Sequence, residues 1–181
     1  RAPSDADVAA LAAADAEFAK LRPGWQVSGN LPQGAIPAGL KTSEPLRYGM
    51  NEWLDMFTPR QALVHGTFSD EFRKITSEVR EALGNDLADA VLFELALMQG
   101  KASNYNSRLS FWHTPRQTMG NVFSKHDFAF MWTFAEFEGA TALYSWCLPQ
   151  LYKTYDKISN LLEETGKPDL NHPAPLERSI T

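Results

Sequence analysis

The feature that most constrains this chain is a helix start followed at once by a long apolar stripe. Thr58-Pro59 places an N-cap threonine before a proline at the first helical position. Val64, Phe68, Phe72, Ile75, Val79 and Leu83 then recur at steps of four and three, which predicts one helix with a single buried face. Gly84-Asn85 stops it, and Asp86 caps a second helix with Leu87, Val91, Leu95 and Met98 on one side. So short a link predicts an antiparallel helix pair.

Around that pair the reading is mainly α. Ser4 caps an N-terminal, Ala-rich helix with acids in its first turn, and Arg22-Pro23-Gly24 is expected to end it. Residues 23–49 hold four prolines and five glycines, a density that breaks helix and strand. An extended arm is expected there, with a short strand near Trp25-Gln26-Val27. Residues 140–164 carry Tyr144, Leu148, Leu151, Tyr155, Ile158 and Leu162 as the stripe of a long last helix, which Pro149 should kink or restart. The expected organisation is a helix over 1–22, an arm over 23–49, a helical core over 50–165 and a tail or linker over 166–181. Arg1 in place of Met leads to the expectation that the chain is processed, or is cut out of something longer.

Composition closes several routes. The chain has 181 residues, a formal charge of −5 and one cysteine. A single Cys147 excludes a disulfide framework and zinc sites built on Cys pairs, and it reads as an inert buried thiol. No apolar run approaches the roughly 20 residues of a membrane span, so no membrane partner and a cytoplasmic location are expected. Phosphate-cradling glycine motifs and the G-x-S-x-G elbow are absent. A metal phosphohydrolase reading would require His65, His113, His126-Asp127 and Asp156 to converge.

Residues 99–126 contain Lys101, Arg108, Arg116 and Lys125 and no acid. Removing these four cations from a chain of −5 leaves −9 on the rest. Tyr105, Phe111, Trp112 and Phe123 are interleaved with Asn104, Asn106, Ser107, Ser110, Gln117 and Asn121. Cations neutralise phosphates, while amide and aromatic side chains meet bases. The competing reading is a basic loop that pairs with acids elsewhere and sends its aromatics into the core.

Three stretches carry a resemblance. They are Arg47-Tyr-Gly-Met-Asn-Glu-Trp-Leu-Asp-Met-Phe-Thr-Pro-Arg-Gln61, Asn104-Tyr-Asn-Ser-Arg-Leu-Ser-Phe-Trp112 and Asn121-Val-Phe-Ser-Lys-His-Asp-Phe-Ala-Phe-Met-Trp-Thr-Phe-Ala-Glu136. In this order the chain resembles the middle of the zinc-ribbon-containing, adenine-specific DNA methyltransferases, bacterial and archaeal enzymes often encoded near phage-defence and restriction-modification genes. The likeness spans roughly residues 1–140. It departs at Lys125-His126, Ala129 and Thr133, where the family pattern has Arg-Gln, Pro and Asp. The family's S-adenosylmethionine turn, its Asn/Asp-Pro-Pro-Tyr motif and its zinc ribbon are absent from these residues.

The resemblance implies a DNA-contacting or target-recognition insert of an adenine-N6 methyltransferase. Cofactor, catalytic and metal-binding residues would lie elsewhere in the parent enzyme. Double-stranded DNA and the parent's catalytic halves are the implied partners, with other defence-system proteins as further ones. Arg60, Arg108, Arg116 and Lys125 would contact phosphates; Asn104, Asn106 and Gln117 would meet base edges; Trp112 or Phe123 would stack. Against these stand the plainer roles: Arg60 paired with Asp55 or Glu52, Asn104 as a helix cap, and Trp53, Phe57 and Trp132 in the core. The alternative function is a helical protein-docking or scaffolding module of a defence complex that touches no DNA.

Overall fold

The computed structural model describes residues 2–124, 131 and 133–165. Five helices and one small hairpin make up the described chain. The helices are α1 Asp5–Ser28, α2 Ser43–Arg47, α3 Pro59–Leu83, α4 Asn85–Tyr105 and α5 Leu143–Thr165. The antiparallel strands are β1 Phe111–His113 and β2 Thr118–Gly120. The mainly α class and the α3–α4 pair are as the sequence predicts. No helix of the described residues is long and apolar enough to cross a membrane. Lys125, the His126-Asp127 pair, Trp132 and the 166–181 tail lie outside the described residues.

Local chemistry sets the helix starts. Ser4 accepts from Asp7 N while Asp7 accepts from Ser4 N, and Thr58 and Gln61 repeat the same reciprocal box at α3. Gly84 alone links α3 to α4, at φ 74 and ψ 163. His65 beside Gln99 and Arg80 paired with Asp89 at 2.5 Å show the two helices running antiparallel. Ahead of α5, Glu138 accepts from the backbone N–H groups of Ala140, Thr141 and Ala142 and from the Thr141 hydroxyl. These donors favour its anion and hold the carboxyl down at about 2.

The N-terminal helix does not stop at Leu21. It runs through Pro23 and Gly24 to Ser28 and ends at Gly29 in the left-handed region, so no strand forms at Trp25. Proline forfeits one backbone bond there, but the added turns carry Trp25 into a cluster with Phe18, Leu31, Leu54 and Ala62. Burying an indole and a phenyl ring outweighs the lost bond. Gly66 makes the approach possible, because a Cβ there would lie 2.4 Å from Trp25 Cζ3. The remaining arm pairs briefly with the chain ahead of α3 through Ile36 N to Asn51 O (2.8 Å) and Trp53 N to Gly34 O (3.1 Å). Ile36, Met50, Met56 and Leu109 pack where they meet.

Two apolar stripes shift from their expected faces. In α4 the buried residues are Ala88, Leu92, Met98 and Ala102, while Leu87 is exposed. In α5 Leu143 and Cys147 are fully buried, with Leu148, Tyr155, Ile158 and Leu162 exposed. Pro149 is carried inside α5. Of the expected stripes, Met98 is buried and Leu95, Tyr144 and Leu151 pack against the Met98–Leu143–Cys147 cluster.

A buried polar network joins the helices to the segment after α4. Asn106 Oδ1 accepts from Gln61 Nε2 (3.3 Å) and from Phe137 N (3.1 Å). Its carbonyl lies 2.9 Å from His65 Nε2. A carbonyl there requires Nε2 to carry the proton, so Nδ1 faces Gln99 Nε2 as an acceptor. Tyr144 donates to Gln99 Oε1 at 2.6 Å and completes the chain of bonds. Burial lowers the His65 pKa, opposed by the bonds to Asn106 and Gln99.

Two predictions follow from this core. Below the ordinary histidine value of about 6.5 the unfolded chain takes up a proton that folded His65 refuses, so stability falls as pH drops through that value towards the lower folded pKa. The slope is at most about 1.4 kcal/mol per pH unit. Urea unfolding across this range should show it in the native chain and a flatter profile in His65→Gln. Gly66→Ala should cost about 1–3 kcal/mol by pushing Trp25 off its seat, read as a lower thermal midpoint with a red-shifted tryptophan emission.

Candidate nucleic-acid interface

The three stretches that carry the family resemblance meet one another. Arg60 Nε pairs with Glu136 Oε1 at 2.6 Å. Arg108 N donates to Met56 O at 2.7 Å, and Arg108 Nη1 to Asp55 O at 3.2 Å. Ser110 Oγ donates to Ala135 O at 2.6 Å, and Asn106 bridges Gln61 to Phe137. Many of the polar atoms of these stretches therefore hold the fold. Arg60 takes Glu136 and not Asp55 or Glu52; the Asp55 carboxylate is engaged by the N–H groups of Asn51 and Glu52 at 2.9 Å each. Asn106, expected at a base edge, is 1% exposed.

Other members of the acid-free window are also engaged. Lys101 Nζ sits 5.0 Å from the Trp146 ring centre and 5.5 Å from that of Tyr105, a pair of cation–π contacts. Asn104 Oδ1 accepts from Phe123 N at 3.3 Å, so it fixes the turn after the hairpin instead of capping a helix. Trp53 and Phe57 are half-buried against the Ile36–Met50 cluster.

What projects is the β1–β2 hairpin. Its register is Phe111 to Gly120, Trp112 to Met119 and His113 to Thr118. Alternation along each strand puts Trp112 and Met119 on one face and Phe111, His113, Thr118 and Gly120 on the other. The Phe111 ring covers Gly120, where a Cβ would come within 2.3 Å of Phe111 Cζ. Thr114–Arg116 form a 3₁₀ turn closed by Gln117 N to Thr114 O at 3.2 Å, with Gln117 at φ 48 and ψ 47. A left-handed glutamine at a turn is uncommon; it presents this side chain to solvent beside Arg116.

The hairpin thus brings three of the expected site residues together. Trp112 is 52% exposed, and Arg116 and Gln117 are exposed at the turn. Phe123, just beyond the second strand, is 77% exposed. Arg60, Asn104 and Arg108 are not part of this group, and Lys125 is outside the described residues. A half-exposed indole, a guanidinium and an amide on one hairpin suit contact with a stacked, anionic surface. Sequence order alone concealed it, because Pro115 and Gly120 read as loop breakers and the strands are only three residues long.

The metal reading rests in part on His126-Asp127, which lie outside the described residues. Among the described residues no three His, Cys, Asp or Glu side chains gather as ligands, and both His65 ring nitrogens are spent on Asn106 and Gln99.

Gly120→Ala tests the hairpin's packing. It should displace the Phe111 ring and cost about 1–3 kcal/mol locally, seen as faster amide hydrogen exchange across 111–120 with α3 and α4 unchanged. No family model, no curated protein and no solved structure matches this chain.

Proposed function

We propose that the chain is the DNA-contacting insert of a larger S-adenosylmethionine-dependent DNA adenine-N6 methyltransferase, with the β1–β2 hairpin as its contact element. The observation that carries this reading is the exposed trio Trp112, Arg116 and Gln117 on a ribbon free of acids. A two-stranded ribbon fits the major groove of duplex DNA. Arg116 would neutralise a phosphate, Gln117 suits an adenine edge, and Trp112 would stack or pack on sugar. The resemblance assigns a further phosphate contact to Lys125, outside the described residues. The family resemblance supplies the identity of the reaction.

Catalysis and the cofactor belong to other parts of the parent. The family's S-adenosylmethionine turn and Asn/Asp-Pro-Pro-Tyr motif are absent from these residues.

A second reading is docking without DNA contact. It draws on the apolar groove between α4 and α5, where Leu87, Leu148, Tyr152 and Tyr155 are each more than half exposed. The catalytic halves of the parent would fill that groove.

Fluorescence anisotropy with an adenine-containing duplex at low ionic strength separates the two. DNA contact requires measurable, salt-sensitive binding by the wild-type chain. Arg116→Glu should weaken it about tenfold or more and lower the salt slope by about 1. Trp112→Ala should cost about 1–3 kcal/mol if the indole stacks. Both variants should keep the helical circular-dichroism signal. Absent wild-type binding, or Arg116→Glu binding as tightly as wild type, leaves the docking reading.

A further inference from the structure

Two cavities of about 300 and 310 Å³ adjoin beneath the arm, the first between α3 and α4 and the second between Trp53–Phe57 and the end of α4. They share Pro32, Phe57 and Ser103 in their linings and lie side by side as the two parts of a cleft. One end is polar and the other aromatic.

The polar end is rich in acceptors, with the Gln99 amide N–H₂ as the donor beside them. Asn30 is 6% exposed; its Nδ2 donates to Asp70 Oδ1 at 3.0 Å, and its Oδ1 is buried with no partner. Exchanging the amide atoms would set oxygen against the Asp70 carboxylate, so the unpaired atom is an acceptor. Ser69 and Ser103 spend their hydroxyl protons on His65 O and Gln99 O at 3.0 Å each. What these two residues offer the cleft is lone pairs. A buried acceptor left unmet costs about 1–3 kcal/mol.

The other end holds Trp53, Phe57 and Leu109, with Phe123 at its rim. These flat and apolar surfaces suit a planar ring. No charged residue lines either part, and burial keeps His65 neutral. An ionised ligand would lose its water and gain no counter-charge.

We infer that this cleft binds a small uncharged molecule consisting of a flat ring that bears an N–H₂ donor. The donor group meets Asn30, Ser69 and Ser103, and the ring slides between Phe57 and Trp53. Ordered water alone would satisfy Asn30 but would leave the aromatic end unused. The inference does not rest on Trp112, Arg116 or Gln117, none of which lines either cavity; Phe123 at the rim is shared with the proposed DNA face.

The test uses benzamide as probe, with methyl benzoate and benzoate as its donor-free and anionic counterparts. Each is titrated into the full isotope-labelled chain while amide NMR shifts are followed. Benzamide should give saturable shifts at Asn30, Ser69, Gln99 and Ser103 with a dissociation constant of roughly millimolar order, as suits a fragment. Methyl benzoate should bind about tenfold more weakly and benzoate not measurably. Ser103→Phe, which fills the shared wall, should weaken benzamide about tenfold or more. Equal binding of benzamide and methyl benzoate, no saturable shift, or full retention in Ser103→Phe would overturn the inference. Should Ser103→Phe fold poorly, contacts between benzamide ring protons and Trp53 or Phe57 in the wild type decide: their presence supports the site and their absence rejects it.

Discussion

The fold depends on one buried amide. Asn106 follows the last turn of α4 and ties that point to residues 45, 41 and 31 positions away in the chain. Its oxygen takes the Gln61 amide and the Phe137 N–H, and its carbonyl takes the His65 proton. Apolar packing fixes how deep a helix sits but tolerates sliding; hydrogen bonds with single partners fix register. The core here is therefore specified by polar groups at its centre, with apolar clusters on either side. Asn106 Nδ2 is buried without a partner, a cost the network absorbs because three other bonds hold the residue in place.

The same constraint explains why the family-like stretches converge. Gln61, Asn106 and Phe137 lie in or beside them, and so do Arg60 with Glu136 and Arg108 with Asp55. Long motifs of polar and aromatic residues suggest ligand contact when read along the chain. In three dimensions many of these side chains face one another. The residues left for an external partner are those beyond the network: Trp112, Arg116 and Gln117 on the hairpin, and Phe123 after it.

Much of the fold was legible in the sequence. Thr58-Pro59, Gly84 and Ser4 mark element ends through backbone chemistry that acts locally, and each sits where that chemistry predicts. The misreadings arose where tertiary packing overrode a local rule. Pro23 reads as a stop until Trp25 and Gly66 are seen to fit together. Leu87 and Leu148 read as core until the neighbouring Ala88 and Cys147 are seen to be the buried residues. The candidate interface was half legible: its cations and aromatics stood out by composition. Which of them point outward is decided by partners such as Glu136 and Trp146, far along the chain. The cleft beside His65 had no sequence signature, since Asn30, Ser69 and Ser103 are ordinary polar residues until folding removes their donors.

Cys147 has a practical consequence. It is the chain's one thiol, it is 0% exposed, and burial raises its pKa above the ordinary value, so little reactive thiolate forms there. The native background is thus silent to thiol-directed dyes and spin labels. A cysteine in place of Thr114, on the exposed turn of the hairpin, would be the single addressable thiol without removal of the native Cys147. Distances from that turn to a partner could then be measured in the otherwise unaltered chain.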